Sequence, residues 1–574
     1  MSVHERLSVP VGAAAATWST RPGTRRVLVV AHTVTALTRL LDVLPLLESD
    51  FRVQVVATRA RTSNFREGVT EFLSDTGLAV IPWDQAVEEE FDLAITASLG
   101  DDLQDIKAPI VVLPHGIGYN KLEKGKGKRE KGKGKREKGS TFGISAETLI
   151  RHGALIPAAL VLSHPEQLDR LRSGCPEAVP RAVVAGDPAF DRILAGLPWR
   201  ARYRRALGTG TRRLILLSST WGPSSLLGSR PDLIGDLLRA LPVDEYQVVL
   251  AAHPNLWHGH GDWQVRAWLA GYERAGLRVL PPRAGWQAAL IAADHVIGDH
   301  GSVTAYGAAL GTHTMLGAFP HGELDPGSPI AAFGRAARLL EDDKPLLDQI
   351  TDDAAVHSDD RFAAATRLLT CNHGAAGTAL RTVFYRFLGV AEPVRPPRTV
   401  PPEVPHAPRR AWPDAAGRPP LLVTAEHKDG DVAVRRFPAE MFDGTAPRPE
   451  RPHLVAADDE PDPRWRESAD ILLIAEPGTG AGPTGPARIA ELLRAHPAAR
   501  FAALRADRGA VVGDRGGRLV RLAPEAGADP LDPDLLPSAY WRVRAEGTVD
   551  DRGSAFTVRT GSQRARVRVE PMGR

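Results

Sequence analysis

Residues 25–47 read RRVLVVAHTVTALTRLLDVLPLL. The opening RRVLVVAHT predicts a strand, because its apolar residues follow one another without the alternation of a half-exposed strand. The following ALTRLLDVLPLL predicts a helix, since its leucines recur at helical spacing. A strand that is apolar on both faces and is followed at once by a helix is typical of a parallel sheet covered on both sides.

The same alternation continues to about residue 185 and then begins again. FRVQVVAT, LAVIP, FDLAITAS and APIVVLP are the further strands of the first unit, and RRLILLSST, YQVVLAAHP, LRVLPP, DHVIGD and HTMLGA those of the second. We therefore predict an α/β protein with a short tail (1–24) and two doubly wound, Rossmann-type domains (25–185 and 186–390) that face a cleft.

The remaining third of the chain has a different composition. Residues 391–419 contain nine prolines and predict a semi-rigid linker. Residues 420–574 predict a small C-terminal α+β domain. Its GTGAGPTG (Gly478–Gly485), followed by Asp507, superficially matches a dinucleotide-binding loop, but the three prolines within or beside it favour an ordinary Gly/Pro turn.

One basic run dominates the charge of the chain. Residues 121–139, KLEKGKGKREKGKGKREKG, carry ten Lys or Arg against three Glu, whereas the whole chain has a net charge of +3. The rest of the protein is therefore net acidic, which argues against a nucleic-acid partner. The run has no aromatic residue to stack on bases, and we predict a solvated insertion. The alternative is a tether to an anionic membrane or polymer, at about 1 kcal/mol per basic residue near such a surface.

The sequence also predicts the cellular setting. It has no uninterrupted apolar stretch near the ~20 residues of a membrane span, and its first residues make a poor signal peptide. Cys175 and Cys371 are the only cysteines, too few for a disulfide framework or a thiolate metal site. We expect a cytoplasmic protein, with peripheral contact at the inner membrane face through 121–139 as the alternative.

In two facing parallel sheets, ligands bind beyond the carboxyl ends of the strands, so the residues that follow strands are the candidates for function. His115 follows IVVLP and can serve as a general base near neutral pH. A hydrogen-bonded loop histidine is an equally good interpretation. His253 follows YQVVLAA at the other side of the cleft, whereas His258 and His260 fit a solvated loop better than a metal site.

Two segments of the second unit predict phosphate contacts. Ser218–Gly222 (SSTWG) offers three hydroxyls that suit phosphate oxygens or, equally, a helix cap. Gly298–Ser302 (GDHGS) joins a strand to a helix, and a helix start attracts anions through its free N–H groups. A helix capped by Asp299 or Ser302 is the alternative.

These motifs carry a resemblance. The His-Gly pair, VAGDPAFDRI, SSTWG, AHPN and ADHVIGDHGSV occur in the order seen in the CDP-glycerol glycerophosphotransferase family, which has a GT-B architecture. More distantly, residues 25–390 look like the non-hydrolysing UDP-N-acetylglucosamine 2-epimerases. The resemblance implies a GT-B-like fold.

It also implies roles for particular residues. His115 would deprotonate an acceptor hydroxyl, and His253 would bind or protonate the pyrophosphate of the donor. The donor diphosphate would lie against Thr220, Trp221, Asp299 and Ser302. The hydroxyl of Ser219 and the backbone at Gly301 complete the diphosphate site that the two segments predict. No metal or other cofactor is implied.

The sequence departs from the family at three places. Asn120 stands where the family has a lysine, with Lys121 one position later, and Gly222 replaces an arginine. Gly186-Asp187-Pro188 replaces a Gly-Tyr-Pro segment. The function expected is the transfer of a glycosyl or glycerophosphoryl group from a nucleotide-diphosphate donor to a hydroxyl acceptor, in cell-envelope or glycan chemistry. The alternatives are a nucleotide-sugar 2-epimerase and a non-catalytic nucleotide-sugar-binding protein.

Overall fold

A computed structural model gives the fold of most of the chain. It describes residues 6–21, 23–61, 66–100, 103–123, 140–356, 360–405, 418–442, 446–474, 485–506, 508–528, 530–548 and 554–572. Most of the basic run, the loop that resembles a dinucleotide-binding motif and Asp507 lie outside these ranges.

The first unit is built on a seven-stranded parallel sheet. Its elements are α1 (Ala15–Trp18), β1 (Arg25–Ala31), α2 (Val34–Val43), β2 (Val53–Arg59), α3 (Arg66–Asp75), β3 (Ala79–Ile81), α4 (Trp83–Glu88), β4 (Leu93–Thr96), β5 (Ile110–Val112), α5 (Ala146–Leu149), β6 (Ile150–Arg151), β7 (Ala154–Leu155), β8 (Ala159–Leu162), α6 (Glu166–Gly174) and β9 (Ala182–Val184). The strand order is β3-β2-β1-β4-β5-β8-β9, and β6 and β7 form a separate hairpin.

The residues of β1 explain why this sheet is covered on both faces. Val27 and Val29 enter one apolar core, and Leu28 enters the core on the opposite face. Full burial of each such side chain stabilises the fold by roughly 1.5–3 kcal/mol. The helix that follows is shorter than predicted, because the chain tightens into a 3-10 turn at Leu44–Leu47, where Pro45 cannot continue α-helical hydrogen bonding.

The second unit repeats the plan with six parallel strands. Its elements are α7 (Pro188–Gly196), α8 (Arg200–Ala206), β10 (Arg213–Ser219), α9 (Leu226–Ser229), α10 (Leu233–Ala240), β11 (Tyr246–Ala252), α11 (Pro254–His260), α12 (Asp262–Arg274), β12 (Arg278–Val279), α13 (Trp286–Ala292), β13 (His295–Gly298), α14 (Ser302–Ala309), β14 (His313–Leu316), α15 (Pro329–Ala336), β15 (Arg338–Leu339), α16 (Leu346–Val356), α17 (Ala363–Thr366) and α18 (Ala376–Leu388). The strand order is β12-β11-β10-β13-β14-β15.

Two segments join the parallel-sheet units to each other. Helix α18 closes the second unit in sequence, yet its Leu380 and Phe384 belong to the apolar core of the first. The described part of the proline-rich segment, 391–405, is bound along its length: Tyr203 donates to the carbonyl of Pro402 at 2.7 Å, and Arg381 to that of Arg395 at 2.6 Å. This half of the predicted linker therefore contacts both units and helps to hold them together.

The sequence predicts a small α+β domain for the C-terminal region. In the structure this region instead has nine strands in one closed sheet. Its elements are β16 (Leu421–Lys428), β17 (Asp431–Pro438), β18 (His453–Ala457), α19 (Pro463–Ser468), β19 (Ile471–Ile474), α20 (Gly485–Ala495), β20 (Phe501–Ala506), β21 (Gly509–Asp514), β22 (Leu519–Pro524), α21 (Leu536–Ala545), β23 (Ala555–Thr560) and β24 (Gln563–Pro571). The strand order is β16-β17-β23-β24-β22-β21-β20-β19-β18, and the first and last strands of the order, β16 and β18, pair with each other. Helix α21 shares the main apolar core of these strands through Leu536 and Tyr540. Within the described ranges, every helix falls short of the length and apolarity needed to cross a membrane.

This closed sheet is docked on the second unit. Phe437 and Phe442 pack into the same apolar core as Leu233 and Leu237 of α10. Beside them, the buried guanidinium of Arg436 binds both carboxylate oxygens of Asp244, at 2.9 and 2.5 Å. A bidentate Arg–carboxylate pair fixes orientation as well as distance, so the C-terminal region has one defined position on the second unit.

Replacing Arg436 by alanine is expected to loosen this docking. Removing one partner of a buried ion pair leaves an uncompensated charge and costs about 3–5 kcal/mol. Hydrogen exchange should therefore accelerate in both α10 and β17. Arg274→Ala is the matched control, because Arg274 joins the same two bodies through Glu440 but is about half exposed, where an ion pair contributes at most ~1 kcal/mol. Equal effects of the two substitutions would contradict this interpretation.

Candidate functional site

The carboxyl ends of the two parallel sheets meet along one cleft. His115 lies beyond the end of β5, whereas His253 directly follows β11 and Asp299 directly follows β13. Thr35 of the first unit and His253 of the second are in contact, with Oγ1 and Nε2 3.1 Å apart. The structure therefore brings the strand-end residues predicted from the sequence to one place.

His253 has a defined tautomer. It caps α11 by accepting a hydrogen bond at Nδ1 from the backbone N–H of Asn255, at 3.1 Å. The neutral ring consequently carries its proton on Nε2, which donates to Thr35. Burial, followed by the positive charge of Lys121, lowers the pKa of His253 to about 3. At neutral pH this histidine is therefore an uncharged donor.

His115 is set up as a proton acceptor. Cleft solvent reaches its ring, but protein surrounds it on several sides. This burial, together with the charges of Lys121 and Arg39, lowers the pKa of His115 to about 4, while a hydrogen bond to the backbone of Ala97 acts in the opposite direction. One ring N–H thus donates to the carbonyl of Ala97. The other nitrogen can accept a proton, the arrangement that orients a general base.

The loop that carries His115 lies directly against the start of α14. The backbone N–H of Ile117 donates to Oγ of Ser302 at 3.1 Å. A Cβ atom at Gly116 would stand only 2.6 Å from the same oxygen. An alanine would therefore force either the loop to move or the Ser302 hydroxyl to rotate out of its hydrogen bond with Ile117.

Asp299 organises the second-unit side of the cleft from inside. Its side chain is fully buried, and Oδ2 accepts hydrogen bonds from N and Oγ1 of Thr220 and from N of Leu226, at 2.7–2.9 Å. Oδ1 accepts from the backbone N–H of Gly301 at 3.0 Å. A buried carboxylate with this many donors holds the loop after β10 to the start of α14. It is poorly placed to touch an anionic phosphate itself.

The hydroxyls of the SSTWG segment are largely used within the protein. Oγ of Ser219 donates to the carbonyl of Thr220 at 3.0 Å and accepts from the N–H of Leu227 at 3.1 Å, and the hydroxyl of Thr220 is bound to Asp299. The side chain that this segment shows to solvent is Trp221, which is 43% exposed. The geometry therefore favours the capping alternative for Ser219.

Two cationic side chains lie near the cleft histidines: Lys121, one position after the site of the family's lysine, and Arg39, which the sequence did not single out. Lys121 lowers the pKa of all three cleft histidines, His115, His253 and His300. Arg39 lies on α2, where its guanidinium packs 5.9 Å from the ring of Tyr306 and donates to the Tyr306 hydroxyl at 3.3 Å. The cleft therefore has positive charge nearby even though Asn120 and Gly222 are uncharged at positions where the family has cations.

Helical spacing was the signal that could have revealed Arg39 and Tyr306. Arg39 lies four residues after Thr35, so both lie on one face of α2, and Tyr306 lies four residues after Ser302, so both lie on one face of α14. Tyr306 also donates a short hydrogen bond to the buried carboxylate of Asp187. The contact between the two units therefore extends from the cleft to the segment that joins them.

Backbone hydrogen bonds hold the two ends of the basic run close together at the edge of the cleft. The N–H of Glu123 donates to the carbonyl of Ser140 at 2.9 Å, and the N–H of Leu122 to that of Glu323 at 3.0 Å. The two ends of the run are thus adjacent and fixed to the second unit. Among the described residues, no group of three or more His, Cys, Asp or Glu is arranged to hold a metal ion.

Comparisons with known proteins were made at three levels. No protein-family model matches the sequence, and no curated protein sequence matches it significantly. Solved structures do match. The chain is similar to the wall teichoic acid polymerase TagF, with 12% identity and a TM-score of 0.41 over 64% of this chain and 90% of TagF.

Two further solved structures match about as much of the chain. One is the UDP-GlcNAc 2-epimerase from Neisseria meningitidis bound to UDP-GlcNAc, with 11% identity and a TM-score of 0.36 over 63% of this chain and 99% of that one. The other is a glycosyltransferase from Rickettsia africae ESF-5, with 11% identity and a TM-score of 0.36 over 64% of this chain and 100% of that one. Likeness at this level decides neither activity nor substrate, so the functional argument rests on the cleft residues.

Proposed function

We propose that this protein is a GT-B-like transferase that moves a glycosyl or glycerophosphoryl group from a nucleotide-diphosphate donor to a hydroxyl acceptor. One observation carries the proposal: the loop of His115, whose side chain can act as a general base, contacts the start of α14 through the hydrogen bond from Ile117 to Ser302. A candidate base and a helix start, which attracts anions, would thereby lie beside each other at one cleft.

The reaction then follows from the positions of these groups. His115 accepts the proton of the acceptor hydroxyl, whose oxygen forms a new bond to the sugar carbon or to the glycerol-bearing phosphorus. The bond from that atom to the leaving nucleotide phosphate breaks, and negative charge develops on the phosphate. The N–H groups at the start of α14, Nε2–H of His253 and the charge of Lys121 would offset that charge.

In this proposal the predicted phosphate-binding residues divide into two groups. Gly301, Ser302 and Trp221 would line the donor site directly. Asp299 would act through Thr220 and Gly301, whose backbone it holds, and Ser219 would stabilise the same loop. The roles of Asp299 and Ser219 rest on their hydrogen bonds within the protein, and that of Trp221 rests on its exposure.

Nucleotide release is the experiment that tests the proposal. The protein would be incubated with CDP-glycerol and with CDP-, UDP-, GDP- and ADP-sugars, with and without hydroxyl acceptors, and the released nucleotide would be identified by chromatography. Release of a nucleoside monophosphate would show glycerophosphoryl transfer, and release of a diphosphate would show glycosyl transfer. A changed sugar configuration at C2 would show an epimerase, and binding without any conversion would show a sensor.

Deleting residues 124–139 is expected to leave nucleotide release within about twofold of the intact protein, because the ends of the run are already paired. The same deletion tests the alternatives for this segment. A membrane or polymer tether would appear as binding of the intact chain to anionic vesicles that the deletion abolishes. A nucleic-acid arm would instead show steeply salt-dependent binding to DNA or RNA that is lost in the deletion.

A further inference from the structure

A third cleft histidine, His300, has a buried ring. It lies between Asp299 and Gly301, just before α14, and its surface is only 6% exposed. Within the described part of the protein, neither Nδ1 nor Nε2 of His300 has a hydrogen-bond partner. Buried polar atoms are nearly always paired, so two unpaired nitrogens on one buried ring beside a helix start indicate a ligand.

Charged groups of both signs surround His300. Burial is the largest influence and lowers the pKa of His300, and Lys121 lowers it further, whereas the carboxylates of Asp299 and Glu323 raise it. His253, the remaining titratable neighbour, has its own pKa lowered by His300. The ring is therefore neutral at pH 7, with one N–H to donate and the capacity to gain a second.

We infer that His300 is a phosphate-binding residue: its ring donates to an oxygen of the nucleotide diphosphate at the start of α14 and takes up a proton when that phosphate is a dianion. This inference rests on the proposed function, which it deepens by adding a binding residue. His300 would supply the charge that the glycine at position 222 does not.

The same chemistry predicts a preference among ligands. A phosphate within the intact donor carries one negative charge, whereas the terminal phosphate of the released nucleotide carries up to two. A nearby dianion favours the charged imidazolium, so proton uptake by His300 would stabilise the charge that develops as the donor bond breaks. It follows that affinity for a terminal phosphate should increase as pH falls from 8 to 6.

Calorimetric titration tests this inference with inorganic pyrophosphate and with CDP, UDP, GDP and ADP. Titrations of the full chain in two buffers of different ionisation enthalpy report the protons taken up on binding. We expect His300→Phe to weaken binding of the preferred ligand roughly tenfold to a hundredfold, the range of a charge-assisted hydrogen bond, and to reduce proton uptake. His300→Gln keeps an amide donor, so it should keep part of the affinity and lose the same proton uptake.

The controls distinguish a failure of the His300 inference from a failure of the proposed function. The ligand-free Tm of His300→Phe should be unchanged or higher, because phenylalanine removes two unpaired buried nitrogens. His260→Gln, at an exposed histidine of α11, should bind like the wild type. If the wild type binds and both His300 variants bind equally well with unchanged proton uptake, the inference is overturned and the proposed function stands. If the wild type binds none of the probes, the proposed function fails as well. Should His300→Phe not fold, His300→Gln decides.

Discussion

Replacing His115 by alanine is expected to lower the rate of nucleotide release by about 10²–10⁴-fold, the usual contribution of a general base. Donor affinity should change little, because the proposed donor contacts, the N–H groups at the start of α14 and Nε2–H of His253, do not involve the His115 side chain. His260→Ala is the control, since it removes an exposed histidine outside the cleft. A His115→Ala variant that keeps its turnover would show that another group takes the proton.

The pH dependence of the reaction offers an independent view of the same base. His115 must be unprotonated to act, so kcat/KM should fall as pH drops through its pKa, which is about 4 in the ligand-free protein. Lys121→Met removes a positive charge that lowers this pKa, and the acid limb should therefore move to higher pH. Lys107→Met removes an exposed lysine outside the cleft and should leave the limb in place.

Replacing Asp299 by alanine should have the largest effect on stability. The substitution leaves the N–H groups of Thr220, Leu226 and Gly301 without their acceptor in a buried setting. Each unpaired donor costs about 1–3 kcal/mol, so a total loss of about 3–9 kcal/mol is expected. Donor binding should be lost with it, because nothing then holds the loop after β10 to α14.

Hydrogen exchange is the measurement that locates this loss. Exchange should accelerate in residues 219–227 and 299–305 of Asp299→Ala, while β1 and β2 in the first unit keep their protection. Asp462→Asn is the matched control: Asp462 caps α19 by accepting from the N–H of Arg464 at 3.0 Å, a role that asparagine fills almost as well. Unchanged exchange around Thr220 in Asp299→Ala would contradict the organising role of this carboxylate.

The two parallel sheets were predictable because local pattern determines them. In β1 and β10, consecutive apolar residues serve opposite faces of the sheet, as is typical of strands that are covered on both sides. The closed sheet of the C-terminal region was not predictable in the same way. Its closure depends on pairing β17 with β23, more than a hundred residues apart, and nothing in the local sequence of either strand specifies that partner.

The residues of the candidate site also differ in how far the sequence could predict them. His115, His253 and Asp299 were found because strand ends can be read from periodicity, and the cleft lies at strand ends. Arg39 and Tyr306 were missed because they lie within helices, where the default interpretation of an arginine or a tyrosine is surface or core. The sequence left two roles open for Ser219, because a hydroxyl that binds phosphate and one that caps a helix share the same sequence pattern.

The central claim is that a nucleotide diphosphate binds at the start of α14, and a thermal-shift screen tests it most directly. The wild type and Ser302→Asp would be screened against CDP-, UDP-, GDP- and ADP-linked donors. A ligand at 100 times its Kd stabilises the folded protein by about 2.7 kcal/mol. Aspartate at position 302 can still accept the hydrogen bond from Ile117 and is favourable at a helix start, so the fold should persist while the added charge repels the diphosphate.

Ser173→Asp supplies the same charge at an exposed position on α6 and serves as the control. We expect a Tm increase with donors of one nucleotide class, which Ser173→Asp should keep and Ser302→Asp should abolish. A shift that Ser302→Asp retains would place the donor elsewhere. No shift with any donor would contradict the transferase proposal.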